Sequence, residues 1–137
     1  MIEATSPSGR FHIALSEREV FNTCWVCSPT LSDRETGAAL FQFNDDNWSL
    51  DQARWLDDAR VSMTVRKYPG NHRPANLTVT IDCVRFTAQI DGEPDGSLGL
   101  LESKLEASLH WIYATPPPAV ADQSLLGRLR HFFRDRS

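Results

Sequence analysis

The chain has 137 residues and a mass of 15.5 kDa, enough for one domain built around a single hydrophobic core. With 41% hydrophobic and 23% charged residues, the composition is that of a globular protein and excludes wholesale disorder, a collagen-like repeat or a coiled coil. A net charge of −4 and a pI near 5.5 argue against a protein whose whole surface binds DNA or an anionic membrane.

The charge is unevenly distributed. Residues 122–136 contain four arginines and two aspartates and so carry a net charge of +2. Since the whole chain carries −4, the rest of the chain carries −6. The first residues lack the basic and apolar pattern of a signal peptide, and no apolar run reaches the length of a membrane span. We therefore expect a cytoplasmic protein with an acidic body and no membrane partner.

The first two thirds of the chain predict short strands joined by tight turns. Alternating apolar and polar residues predict strands at residues 11–15, 20–27, 30–32, 38–43, 48–56, 61–68, 77–82 and 86–90. The charged residues 17–19 predict a turn between the first two strands, and Ser28-Pro29 predicts an interruption after the second. Short strands without intervening helices need antiparallel neighbours, so we expect an antiparallel meander, as a curved sheet or a half-open barrel.

The periodicity changes near residue 97. Leucines at three- and four-residue steps predict a helix over about residues 97–113 that covers the sheet, which makes residues 1–114 one α+β domain. The three prolines at 116–118 predict a linker over residues 115–121, followed by a second amphipathic helix over residues 122–137. We expect this last helix to dock on the body, with homodimerisation through it as the alternative.

An acidic and aromatic stretch is the candidate binding surface. Its residues are Asp45, Asp46, Trp48, Asp51, Trp55, Asp57 and Asp58. Tryptophan anchors are favoured at protein interfaces, and like charges around them steer an oppositely charged partner. The competing interpretation is that both tryptophans belong to the core and that the aspartates mark turns.

The favoured function is a non-catalytic protein that binds another protein. The concrete hypothesis is a bacterial immunity protein that neutralises a cognate toxin, because nuclease toxins are commonly basic and an acidic protein can occlude their active sites. The sequence contains no nucleotide-binding, hydrolase or complete metal-ligand motif, so we expect neither catalytic residues nor a cofactor or metal.

Two other functions stay open. The basic segment of residues 66–74 is suited to phosphate or RNA, with Arg66, Lys67, Tyr68, His72 and Arg73 as the contacts. Alternatively, a small-molecule site or an enzyme's active site lies in the mouth of a half-open barrel, with His12, Cys24, Tyr68 and His72 as its polar groups.

Cys24 and Cys27 have the C-x-x-C spacing of redox dithiols and of half a zinc site. In an extended strand, residues three apart face opposite sides, so a shared ligand would require a bend. The chain offers no second pair at metal spacing, and we expect its three cysteines to be small buried hydrophobes.

Overall fold

The structure is a computed structural model that describes residues 1–20 and 24–112, with Cys24 described by its backbone alone. Its elements, in chain order, are β1 (Phe11–Val20), β2 (Cys24–Asp33), β3 (Ala39–Gln42), β4 (Trp48–Trp55), β5 (Arg60–Lys67), β6 (His72–Arg73), β7 (Leu77–Asp82), β8 (Thr87–Ile90), β9 (Gly96–Ser97), a 3-10 turn (Leu98–Leu100), α1 (Leu101–Ser108) and β10 (His110–Trp111). The predicted linker and second helix lie outside the described residues.

The described strands form three antiparallel sheets. Their orders are β1-β2-β3, β4-β5-β7-β8-β9 and β6-β10. The prediction of a mainly antiparallel sheet in an α+β domain is therefore confirmed. As far as the described residues show, the sheet is curved but does not close into a barrel.

The predicted turn at residues 17–19 is wrong. β1 continues through these residues and pairs with β2 without a register shift from Phe11↔Asp33 to Val20↔Cys24. The predicted interruption at Pro29 is also wrong: Pro29 lies opposite Leu15, within β2. At this pair the backbone N–H and C=O groups of Leu15 point away from β2, and those of Pro29 point away from β1. Proline therefore removes no hydrogen bond between β1 and β2.

The covering helix is shorter than predicted. α1 spans Leu101–Ser108 and buries Leu101 and Leu105 against the core, with the 3-10 turn in front of it. The helix ends there because His110 and Trp111 pair with Arg73 and His72 as strand β10. The leucine periodicity thus continues past the point at which the backbone leaves the helix.

The N-terminal segment connects the two larger sheets. Thr5 forms an antiparallel bridge to His12 of β1, and Ile2 forms a parallel bridge to Ala53 of β4. The Ile13 N–H donates to the Ala4 oxygen at 2.6 Å, and the Glu3 N–H donates to the Ala53 oxygen at 2.9 Å. A single short segment therefore satisfies part of the backbone edge of both sheets.

The core lies between the sheets and under α1. Its largest fully buried side chains are Trp48, Phe11, Ile13, Leu31, Met63, Ile81, Leu101 and Leu105. On β5 and β7, buried and half-buried residues alternate, as the two-residue period of a strand requires. The polar face of this sheet points away from the core.

Candidate functional site

The two tryptophans of the predicted acidic surface are packed against the body. Trp48 has 0% of its surface exposed, stacks on Phe43 at 5.1 Å and donates its indole N–H to Glu106 Oε1 at 3.0 Å. Trp55 is half-buried and stacks on Phe11 at 6.3 Å. Burial supports the core interpretation for both, and Trp48 presents no surface to a partner.

The five aspartates of that stretch each have an intramolecular partner. Their side-chain contacts are Asp45–Lys67 at 2.8 Å, Asp46–Arg18 at 3.5 Å, Asp51–Arg66 at 3.2 Å, Asp57–Arg60 at 2.8 Å and Asp58–Ser8 at 2.6 Å. The backbone N–H of Ala59 and the Arg60 guanidinium lower the pKa of Asp57, and hydrogen bonds from Ser8 lower the pKa of Asp58. Four of the five charges are therefore offset by an internal cation.

Lys67 joins the β3–β4 loop to helix α1. Its ammonium contacts Asp45 at 2.8 Å and Glu106 at 2.5 Å, and its side chain is only 14% exposed. Burial lowers the pKa of Lys67, but hydrogen bonds to the two carboxylates outweigh this and raise it above its ordinary value. Glu102, one turn earlier on α1, accepts the backbone N–H groups of Asn44 and Asp45. This network fastens the helix to the sheet.

The predicted basic segment is largely committed to internal contacts. Arg66 and Lys67 form the ion pairs just described, and His72 is buried with 3% of its surface exposed. His72 Nδ1 lies 2.7 Å from the Pro74 oxygen, and its Nε2 accepts the Lys67 backbone N–H at 3.2 Å. Since both ring nitrogens have partners, His72 has no nitrogen left to bind a ligand.

The residues of the predicted small-molecule site are dispersed. His12 lies on β1 beside Thr5, with 3.1 Å between Nδ1 and Oγ1, whereas His72 is a buried residue of β6 whose ring packs edge-on against Trp111. Tyr68 lines a cavity of about 50 Å³, far below the roughly 300 Å³ of a typical ligand pocket. The side chain of Cys24 lies outside the described residues.

The described thiols are weakly acidic. Burial raises the pKa of the Cys83 thiol to about 12, with a smaller contribution from Asp82. Burial, Glu17 and Asp51 raise the pKa of the Cys27 thiol. Neither thiol is activated as a nucleophile, because thiolates form where the pKa is lowered.

An exposed tryptophan lies beside two carboxylates on the β1–β2 hairpin. Trp25 is 56% exposed and sits directly opposite Glu19, while Glu17 sits opposite Cys27. Among the residues that the structure describes, no ion pair engages Glu17 or Glu19. We call Glu17, Glu19 and Trp25 the Trp25 surface.

Strands β4 and β5 of the five-stranded sheet lie next to the Trp25 surface. The small cavity at this border is lined by Trp25, Val26, Ser49, Arg66, Lys67, Tyr68, Pro69 and Gly70. The backbone N–H of Cys27 donates to Ser49 Oγ at 3.0 Å, which ties β2 to the start of β4. The sequence reasoning missed this surface because it assigned residues 17–19 to a turn, which hides their pairing with β2.

No family model matches the chain, and no curated protein or solved structure matches it either. In the described part of the chain, no cluster of three or more histidine, cysteine, aspartate or glutamate side chains is arranged to hold a metal ion. No helix within residues 1–20 and 24–112 has the length and apolar character that crossing a membrane would require.

Proposed function

We propose that the protein binds another protein of basic character through the Trp25 surface, and most concretely that it is an immunity protein that neutralises a basic toxin. The observation that carries this proposal is the exposure of Trp25 beside two carboxylates, Glu17 and Glu19, which form no ion pair with any cation of residues 1–20 and 24–112. Tryptophan is among the residues that contribute most at protein interfaces, and it is unusual on a free surface.

The charges around Trp25 suit a cationic partner. Glu17 and Glu19 belong to an acidic body, and Asp51 adds a third carboxylate near Cys27, although Arg66 lies 3.2 Å from it. An arginine or lysine of the partner can place its cation over the indole face while it pairs with Glu19. The electrostatic argument made for the acidic stretch at residues 45–58 therefore applies better to this hairpin.

The environments of the His72 imidazole and of the described thiols support binding rather than catalysis. His72 is buried and has partners on both nitrogens, and the described thiols have raised pKa values. A catalytic base needs access to a substrate proton, which His72 lacks in this fold.

The experiment is a capture from a lysate of the source organism at moderate salt, with the bound proteins identified by mass spectrometry. The wild-type chain is compared with Trp25→Ala and with Trp55→Phe as the matched control, after both variants are shown to be folded. We expect a basic protein that wild type and Trp55→Phe retain and Trp25→Ala loses, and whose toxic activity the wild-type chain inhibits. Retention of the same protein by Trp25→Ala would refute the assignment of the Trp25 surface as the binding site.

A further inference from the structure

Part of the outer edge of β1 has no neighbouring strand among the residues that the structure describes. β1 is the edge strand of its sheet, and its other side pairs with β2. The N-terminal segment covers this edge only as far as Ile13, whose N–H donates to Ala4. One residue before Ala4, Glu3 is already bonded to Ala53 of β4. The part of the edge that the N-terminal segment covers therefore ends in the middle of β1. The remaining part is able to accept a strand.

The direction of the backbone groups beyond Ile13 follows from strand geometry. Alternate residues of a strand point their N–H and C=O groups to opposite sides, and Ile13 points away from β2. Leu15, Glu17 and Glu19 therefore point outward as well. Within residues 1–20 and 24–112, none of the hydrogen bonds found involves the backbone of these three residues. Residues 14–19 are all exposed.

Two of the antiparallel registers open to a second copy of the chain at this edge place like charges opposite each other. In an antiparallel pair, the backbone N–H and C=O groups of two opposite residues either both face the other strand or both face away from it. The backbone groups of Glu17 point outward and those of Arg18 point toward β2, so these two residues cannot lie opposite each other. A two-fold pair centred on Arg18 sets Glu17 against Glu19 and Arg18 against itself, and one centred on Glu17 sets that residue against itself. Like charges directly opposite each other are destabilising. The same charges are a recognised protection of edge strands against self-association.

A basic strand has none of these conflicts. Lysine or arginine at alternate positions would lie opposite Glu17 and Glu19, on the face of the hairpin that also carries Trp25. The main-chain groups of Leu15, Glu17 and Glu19 would supply the hydrogen bonds, and the charges the specificity. We propose that residues 14–20 of β1 bind an extended segment of the basic partner by strand addition. This inference rests on the proposed function, since it describes how the same hairpin engages that partner.

Amide exchange by NMR on the full chain tests the inference directly. The probe is a seven-residue peptide that alternates valine and lysine, and the control peptide has glutamate in place of lysine. With the lysine peptide we expect exchange at Leu15, Glu17 and Glu19 to slow by at least about tenfold, because these amides gain a partner. Ser16 and Arg18, which point toward β2, should be unchanged. Unaltered exchange at the three outward amides, or equal protection by both peptides, would overturn the proposal.

A pair of substitutions separates strand addition from charge. Glu17→Pro removes the charge and the outward N–H, while Glu17→Thr removes the charge alone, and proline is tolerated at the solvent side of edge strands. We expect Glu17→Pro to weaken binding of the lysine peptide by about 30-fold or more relative to Glu17→Thr. Equal binding by the two variants would overturn strand addition, yet leave the proposed function standing if Trp25→Ala still loses the captured protein. If Glu17→Pro does not fold, the exchange measurement on the wild-type chain decides.

Discussion

The indole N–H of Trp55 donates a hydrogen bond to the backbone oxygen of Glu3 at 2.9 Å, and the Glu3 carboxylate accepts the backbone N–H of Trp55 at the same distance. Two residues far apart in sequence thus hold the N-terminal segment against β4. The arrangement gives Trp55 a structural role that the acidic residues beside it in sequence do not suggest.

Replacement of this tryptophan tests that role. Trp55→Phe keeps an aromatic ring next to Phe11 but removes the indole N–H donor, so we expect a loss of about 1 kcal/mol in the free energy of unfolding. Trp25→Phe, at an exposed position, should change it by less than about 0.5 kcal/mol. Urea unfolding measures both, and equal costs for the two variants would contradict the assignment.

Lys67 offers a test of the network under α1. Lys67→Met leaves Asp45 and Glu106 without their cation, and their side chains are 36% and 35% exposed. Because solvent screens these carboxylates in part, we expect a loss of about 1–3 kcal/mol, between the values for exposed and buried pairs. The control is Arg60→Met, which breaks an exposed pair and should cost less than about 1 kcal/mol. A Lys67→Met protein as stable as Arg60→Met would show that the network does not hold the helix.

The aspartates predict the direction of the pH dependence. A hydrogen bond from Arg10 lowers the pKa of Asp33. At Asp45, burial raises the pKa, but the hydrogen bonds from Lys67 and from the Asn47 backbone outweigh it. Since the unfolded chain then binds protons at higher pH than the folded chain, this stability is present above the ordinary aspartate pKa of about 3.9 and is lost as the pH falls through the lowered values. The urea concentration at the unfolding midpoint should therefore decrease as the pH is lowered below about 4. A midpoint that stays constant or rises on acidification from pH 4 would contradict this.

His72 should be held in one tautomer. The Lys67 backbone N–H can only donate, and the Pro74 oxygen can only accept, so the proton must lie on Nδ1. Nitrogen NMR of the ring identifies the protonated atom. His72→Ala leaves both backbone groups buried without a partner, and we expect it to cost about 1–3 kcal/mol for each group. A His72 ring protonated on Nε2 would refute the assignment.

The cysteines should react slowly in the folded protein. With a pKa of about 12 and 2% exposure, Cys83 has almost no thiolate at pH 8. In a Cys24→Ser background, we expect alkylation of Cys83 to be about a thousandfold slower than that of a free thiol, and alkylation of Cys27 to be intermediate. Peptide mapping by mass spectrometry distinguishes the sites, with the urea-unfolded chain as the control. Rapid native labelling of Cys83 would contradict its burial.

Local patterns in the sequence were sufficient to predict most of the strands. The alternation at residues 77–81 and 86–90 corresponds to β7 and β8, because side chains of a half-buried strand alternate between core and solvent. The helix limit at Ser108 could not be predicted, since it depends on the pairing of His110 and Trp111 with β6. Nor could the bridge at Ile2, which depends on a strand some fifty residues later.

The candidate site required tertiary information for the same reason. Tryptophan and aspartate near one another in sequence indicated a surface at residues 45–58, but the cations that pair with Asp46 and Asp51 come from β1 and β5. Trp25 and Glu19 are six residues apart in the chain and become neighbours only through the β1–β2 pairing. The spacing of these residues along the chain does not predict their pairing partners.

In the proposed function, the Trp25 surface, rather than the acidic charge of the whole body, binds the partner. The most direct measurement is the affinity of the captured basic protein for two charge-reversed variants, Glu17→Lys/Glu19→Lys and Asp91→Lys/Glu93→Lys, which change the net charge equally. The second pair lies at the β8–β9 turn, away from the hairpin. We expect the hairpin variant to lose affinity by about 30-fold or more and the turn variant to stay within about twofold of wild type. Equal losses in the two variants, or an unchanged affinity of the hairpin variant, would show that the Trp25 surface is not the binding site.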